Sequence, residues 1–422
     1  MQSIPKCAHV ILTDPLTDLR KTIYKTEKLT FKQTKTSWSL ANLANRIKKI
    51  HYWHTSCNTI SHIKLFFKIK DMNEKDNKFK ILTIDGGGIR GIIPAKVLYH
   101  LEEEAIKKDG PNARLCDYFD LVCGTSTGGI IAIGIALGMT AKEILNLYKD
   151  NAKKIFPSKS TAKAFLANKP YYDRKVLEEL LAINFNQQDY HNNTARIYHC
   201  KTRLCIPAYD LDKGEAHVFK TDHLHNITKD CHMPVVNVAL ATAAAPIYFS
   251  PYSFKYTEMN SVNECSYINN VDGGVVANNP ALIGLSEAVY CLDIPLENIE
   301  VLSLGTGTFN LKDRACNKKR GLRYWLLPHN NNLRIYEVMA SGQSIYIDNT
   351  MKLMSQGAGH DQKGRFIYHR VQEKLEQNIP MDATGKETLN RLANIGQELY
   401  KKNLEKLKPF IQNKVEPYKH NS

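Results

Sequence analysis

Between two apolar runs the chain makes one tight interruption. Residues 119–138 read FDLVCGTSTGGIIAIGIALG. The run up to Cys123 is short and β-rich, and the run after Gly128 is long enough for a helix. The intervening GTSTG must therefore turn a buried strand directly into a buried helix, which predicts an α/β fold with a mostly parallel interior sheet. Gly124-Thr125-Ser126-Thr127-Gly128 also matches G-x-S-x-G, in which a serine sits on a strained strand-to-helix turn with its Oγ exposed. Glycines flanking the turn keep side chains off the neighbouring strands, and the next helix offers its N-terminus to developing negative charge. A plainer reading makes Ser126 only the N-cap of that helix.

A second glycine cluster lies upstream in ILTIDGGGIRG, residues 81–91. Gly86-Gly87-Gly88-Ile89-Arg90-Gly91 fits G-x-G-x-x-G between a strand at Ile81–Ile84 and a helix over Ile92–Lys107. One reading is a dinucleotide-binding turn, with Glu102 to Glu104 supplying the ribose acid. The other is an oxyanion hole made of bare backbone N–H groups. Asp85 weighs against the first, because a carboxylate repels a pyrophosphate.

A serine nucleophile needs a base, and histidine held by a carboxylate is the usual one. Late in the chain only His329, His360, His369 and His420 remain, none in a recognisable strand-end turn. An acid does stand out: Asp272 in YINNVDGGVVANNP, followed by Gly273 and Gly274. Fixed by that turn, its carboxylate can take the serine proton directly; Asp-Gly is equally a common turn dipeptide.

Further strands are predicted at Phe119–Cys123, Arg203–Tyr209 and Ile299–Leu304. Strands alternating with helices organise the middle of the chain, whereas residues 311–422 read as mostly helical. Residues 1–79 read as a separate basic extension and 80–310 as the core. Of the net charge of +15, residues 1–80 carry +10, from 16 Lys/Arg against 6 Asp/Glu. Leu40, Leu43, Ile47, Ile50 and His54 recur there at helical spacing beside Arg46, Lys48 and Lys49, a stripe suited to a membrane surface or to packing on the core. The polar stretch DMNEKDNKFK (71–80) reads as a linker. No signal peptide is expected, because Asp14 and Asp18 interrupt the N-terminus. No transmembrane helix is expected either, since glycines and hydroxyls break the longest apolar stretch, Leu121 to Met139. Ten cysteines without a CxxC pair point to reduced thiols in a cytoplasmic-type compartment and to no zinc site.

GGGxRG, then GxSxG, then DGG, in that order on one α/β chain, resembles the patatin-like phospholipase family over residues 80–310 and more loosely to about 400. ALATAAAPIYF (239–249), Asn278-Asn279-Pro280 and Ser303-Leu304-Gly305-Thr306-Gly307 resemble it too. The resemblance implies a three-layer α/β/α fold with a largely parallel central sheet. It implies hydrolysis of membrane-lipid acyl esters through a Ser–Asp dyad without histidine. On that pattern Ser126 is the nucleophile, Asp272 the proton acceptor, and N–H groups near Gly86, Gly87 and Gly88 the oxyanion hole. Arg90 matches the arginine of the glycine motif, as a structural or headgroup-facing residue. No metal and no cofactor are implied, and the partner is a membrane phospholipid met at the bilayer periphery, with no nucleic acid. Ile206–Asp210 and Phe219–His223 are similar to bacterial members that act as regulated effectors, in which a cyclic dinucleotide or a host protein switches on membrane degradation. Two other readings remain: an esterase with a Ser-His-Asp triad, and a nucleotide-binding protein using the glycine turn.

Overall fold

The computed structural model describes residues 78–157, 169–186, 190, 194–224, 229–259, 261–309, 320–321, 324–325, 334–356 and 365–420. The basic stripe around Leu40–His54, His329 and His360 lie outside the described residues. Strand β1 (Phe79–Ile84) leads through the triple glycine to helix α1 (Ile92–Asp109), and β2 (Leu121–Gly124) leads through Thr125-Ser126 to α2 (Thr127–Ala136). Helices α3 (Ala141–Ile155) and α4 (Lys175–Phe185) precede the long β3 (Arg203–Asp210), which folds back as β4 (Glu215–Lys220). Helix α5 (Val235–Thr242) is followed by β5 (Tyr252–Thr257), β6 (Glu264–Asp272), the single turn α6 (Gly274–Ala277) and α7 (Ala281–Ser286). The chain closes with β7 (Ile299–Leu304), α8 (Arg334–Gln356), β8 (Ile367–Val371) and α9 (Lys386–Lys402).

Among the described residues eight strands form one sheet in the order β5-β6-β3-β2-β1-β7-β8, with β4 on the other edge of β3. From β3 to β8 neighbouring strands are parallel; β4, β5 and β6 supply the antiparallel pairs. Side chains of the central strands alternate between two buried faces, which is why their sequences read as continuous apolar runs. Leu82, Ile84, Val122, Leu204, Ile206 and Leu302 join one core cluster. Ile81, Leu121, Cys123, Cys205 and Val301 join another, with Ala281 and Leu285 of α7 and Ile347 and Met351 of α8. The first face is covered by α1, α2, α5 and α9, completing the three layers. Helix α2 is buried along its whole length, so it can afford no polar face.

The sequence reading of 311–422 as mostly helical misses β8, which pairs with β7 through Glu300↔Ile367 to Leu304↔Val371. Its signal is hidden by His369 and Arg370, polar residues in a strand of five. Arg370 is tolerated inside because it pairs with Asp85 at the end of β1, Nη1 to Oδ1 at 2.8 Å and Nη2 to Oδ2 at 2.5 Å. Among the described residues no helix is long and apolar enough to cross a membrane.

Candidate active site

The topology brings Ser126 and Asp272 together. Strand β2 runs along one edge of β3 and stops with Cys123 opposite Cys205. Strand β6 runs in the reverse direction and stops with Asp272 opposite Ala208. Because β4 occupies the other edge, β2 and β6 share this one and point their C-terminal ends at each other. Ser126 Oγ then donates to Asp272 Oδ2 at 2.5 Å, across 146 positions of sequence.

The serine turn is strained: Ser126 has φ 55° and ψ −121°, where a side chain is seldom placed. Its N–H donates to Thr242 Oγ1 at 3.1 Å, and that hydroxyl donates to the Pro207 carbonyl at 2.6 Å. Thr125 Oγ1 donates to the Ala277 carbonyl at 2.6 Å, tying the turn to α6. A Cβ on Gly124 would stand 2.1 Å from the Gly128 carbonyl oxygen, and one on Gly128 would stand 2.2 Å from that of Ile84. Both glycines of GTSTG are thus required by backbone contact. Gly91 gives room to Thr127, and Gly273 to the Pro207 carbonyl, by the same close approach.

Asp272 is buried, with Oδ1 accepting the Gly274 N–H at 2.7 Å while its own N–H donates to Ala244 O at 3.0 Å. Burial pushes its carboxyl up to about 7, against the opposing pull of hydrogen bonds from Ser126, the Gly274 N–H and the Tyr336 hydroxyl. Tyr336, from the first turn of α8, is a partner that sequence reasoning missed. Its hydroxyl and Asp272 Oδ1 lie 2.8 and 2.9 Å from the point where a Gly274 Cβ would sit, so Gly274 makes space for their meeting.

The glycine loop is only partly as expected. Gly87 and Gly88 line the same cavity as Ser126, with Gly88 at φ 58°. The Gly86 N–H donates to the Asn278 carbonyl at 3.0 Å, so it is spent and is not an oxyanion donor. The role of Gly86 is clearance, since a Cβ there would stand 2.5 Å from Asn278 Oδ1. The headgroup-facing reading of Arg90 is also corrected: the side chain is buried, with Nη2 3.3 Å from Glu337 Oε2 and Nε donating to the Gly87 carbonyl at 3.4 Å. It braces the loop from behind.

Residues named by the competing readings are engaged elsewhere where the structure describes them. Of the acids offered for a ribose, Glu102 accepts the Ala141 N–H at 2.7 Å, Glu103 meets His100 Nδ1 at 2.8 Å and Glu104 meets Lys107 Nζ at 2.7 Å. His369 packs its ring edge-on against Phe410, and His420 bonds Asp222 Oδ1 at 2.6 Å. Among the described residues neither Ser126 nor Asp272 has a histidine partner.

Above the serine opens a mostly apolar cavity, walled by Ile130, Tyr148, Phe156, Leu177, Phe249 and Met381 among others. The Tyr148 hydroxyl is taken up by the Thr127 carbonyl at 2.9 Å, so its ring presents an apolar surface. The site can therefore hold an apolar chain with its reacting carbon beside Ser126.

A largely parallel sheet that bends one strand into a strained serine turn has the form of a serine elbow on an α/β fold. The family model described as patatin-like phospholipase matches residues 82–285. A cGAMP-activated phospholipase of Vibrio cholerae is 31% identical over 342 residues, 76% of this chain and 90% of that protein. One of Escherichia coli is 30% identical, covering 81% of this chain and 95% of the relative. Patatin-like protein 2 of Arabidopsis thaliana is 32% identical over 77% and 84%. The chain belongs to the patatin-like phospholipase family, whose members are lipid acyl hydrolases.

Proposed function

We propose that the protein cleaves acyl esters of membrane glycerophospholipids, as a phospholipase A or lysophospholipase, through a Ser126–Asp272 dyad. The observation that carries this reading is the 2.5 Å hydrogen bond from Ser126 Oγ to a buried carboxylate whose pKa is raised to about 7. An ordinary aspartate, near 4, is a poor base for a hydroxyl, and burial brings Asp272 closer to the working range. Ser126 Oγ attacks the ester carbonyl as Asp272 takes its proton. The tetrahedral oxyanion is met by the N–H groups of Gly87 and Gly88, with that of Thr127 at the start of α2. Asp272 then protonates the leaving alcohol, giving a lysophospholipid or a deacylated headgroup alcohol and an acyl-serine. Water, deprotonated by Asp272, adds to the acyl-serine; the proton returns to Ser126 Oγ and a fatty acid departs. The apolar cavity takes the acyl chain.

The test is fatty-acid release from phospholipid vesicles by the parent, Ser126→Ala and Asp272→Asn. Each variant should lose on the order of a thousandfold or more, as removal of a nucleophile or base does elsewhere. Serine-directed fluorophosphonate labelling that survives Ser126→Ala would sink the assignment. Two relatives are named for activation by cGAMP. We infer that this chain is likewise switched by a cyclic dinucleotide; vesicle hydrolysis unchanged across added cyclic dinucleotides would remove that part. The basic segment 1–79 serves as a peripheral tether on this reading.

A further inference from the structure

Strand β3 carries Cys205 between two neighbours. In register on one side is Cys123 of β2, and on the other Lys220, the last residue of β4. Side chains in register share a face of the sheet. The two cysteines pack in the layer of α7 and α8, whereas Ile130, Tyr148 and Leu177 of the cavity pack on the opposite face. Their thiols meet across the strand pair. Helix α7 crosses close over Cys123: a Cβ on Gly284 would stand 3.1 Å from its Sγ. Three residues further on, Glu287 accepts from Lys220 Nζ through Oε2 at 2.6 Å and meets His223 Nε2 through Oε1 at 2.9 Å. The other ring nitrogen of His223 lies 2.7 Å from Thr221 Oγ1, which holds the ring with Nε2 turned inward. Cys205 Sγ, a ring nitrogen of His223 and a carboxylate oxygen of Glu287 all lie within 4.8 Å of one another, and all three residues are buried. None of them lines the cavity or bonds the Ser126–Asp272 pair.

As mere filling this group has little to recommend it, because a buried ion pair is often no more stabilising than apolar residues of the same volume. It does have the donor chemistry of a zinc-type cation: two sulfurs, an imidazole nitrogen and a carboxylate oxygen. Tetrahedral zinc spaces such donors at roughly 3.3–3.8 Å, so the approach required is on the order of an ångström. Thr221 is the outer partner that a metal-bound histidine ordinarily has. Charge closes as well. Two thiolates and Glu287 carry three negative charges, Lys220 on Oε2 returns one positive, and a divalent ion neutralises the rest. We propose that Cys123, Cys205, His223 and Glu287 form a structural zinc site that ties β2 and β3 to the end of α7, on the face of the sheet away from the cavity. The two thiols release their protons to solvent as the ion enters. Four protein ligands leave no position for a substrate, so the ion braces the strand that carries the serine turn and does not react. The donors run from position 123 to 287, and no CxxC-type spacing marks them. The site needs neither the dyad nor the cavity, so it stands or falls separately from the lipid-hydrolase reading.

The test takes the full chain with zinc alone. Protein refolded with zinc and freed of excess by gel filtration should keep about one zinc per chain. Cys205→Ser and His223→Gln should each keep about a tenth of that or less. Stripping the parent with a chelator should lower its melting temperature by roughly 3–6 °C, and zinc should restore it. Cobalt in place of zinc should give a thiolate-to-cobalt charge-transfer band, which imidazole and carboxylate alone do not produce, and Cys205→Ser should lack it. Where a variant fails to refold, the cobalt spectrum of the parent decides by itself. A parent without that band, or one that melts at the same temperature stripped and loaded, overturns the proposal and leaves Lys220, Glu287 and His223 as a hydrogen-bonded network only. So does a metal content that both variants retain, which would put the ion elsewhere in the chain.

Discussion

The two partners of the Ser126–Asp272 hydrogen bond stand out in the sequence because each sits in a glycine-bounded turn: Ser126 between Gly124 and Gly128, Asp272 before Gly273 and Gly274. Tyr336 was not readable, because it reaches Asp272 from a helix 64 positions downstream (336 − 272), outside any motif. Thr242 had a visible setting in ALATAAAPIYF, yet nothing in that string tells that its hydroxyl would receive the Ser126 N–H. Gly86 was misjudged because sequence shows where amides are bare and not which of them are already bonded. A base must be unprotonated, so the rate should climb with pH through about 7 and fall below it. Tyr336→Phe removes a hydrogen bond that favours the carboxylate. Its acid limb should therefore move to higher pH, with a larger deficit at pH 6 than at pH 8.5; a parallel drop at both would deny the tyrosine this positioning role. Stability runs the other way. The folded carboxyl, at about 7, holds its proton more tightly than the unfolded one at about 4, so stability present at low pH is lost as pH rises between those values. Asp272→Asn should melt close to the parent at pH 4 and exceed it at pH 8 by on the order of a few kcal/mol, as thermal unfolding at the two pH values will show.

At the scale of elements, the strand-turn-helix units were legible because a strand buried on both faces is an unbroken apolar run, as in β1, β2 and β7. Strand β8 escaped because its Arg370 becomes apolar-compatible only when paired with Asp85, nearly three hundred positions away. Helix α8 was foreseen as helical, but its exposed Met339, Tyr346 and Leu353 cannot be told from its buried Ile347 and Met351 without its neighbours. Glycines separate in the same way. Gly128 is hemmed by the Ile84 carbonyl, so Gly128→Ala should cost roughly 3 kcal/mol or more and abolish activity. Gly342, inside α8 with nothing near, should gain about 0.5–1 kcal/mol on substitution by alanine. Denaturant unfolding of the two variants tests this pair, and equal effects would contradict the packing account.

The described residues from 78 onward form one sheet with two coats of helix, and those after 310 are part of it. Helix α9 lays Leu389, Leu392 and Leu399 into the main core, with Gly396 against the Ile93 carbonyl of α1. A chain ending at residue 310 would lose α8, β8 and α9 and leave Asp85 charged and unpaired in the interior, which alone costs about 3–5 kcal/mol. It should fail to give a cooperative thermal transition, even though the three motifs lie within it; a soluble, active product would refute the view of the C-terminal part as integral. The head-on approach of β2 and β6 has a different bearing. Strands β2 and β6 are registered against the same few residues of β3, so the long excursion between them does not set the spacing of Ser126 and Asp272. Loops there can lengthen, shorten or be cut open to make new termini while the two oxygens keep their spacing. Substrate choice in such a molecule is free to drift on a chassis that fixes the reaction.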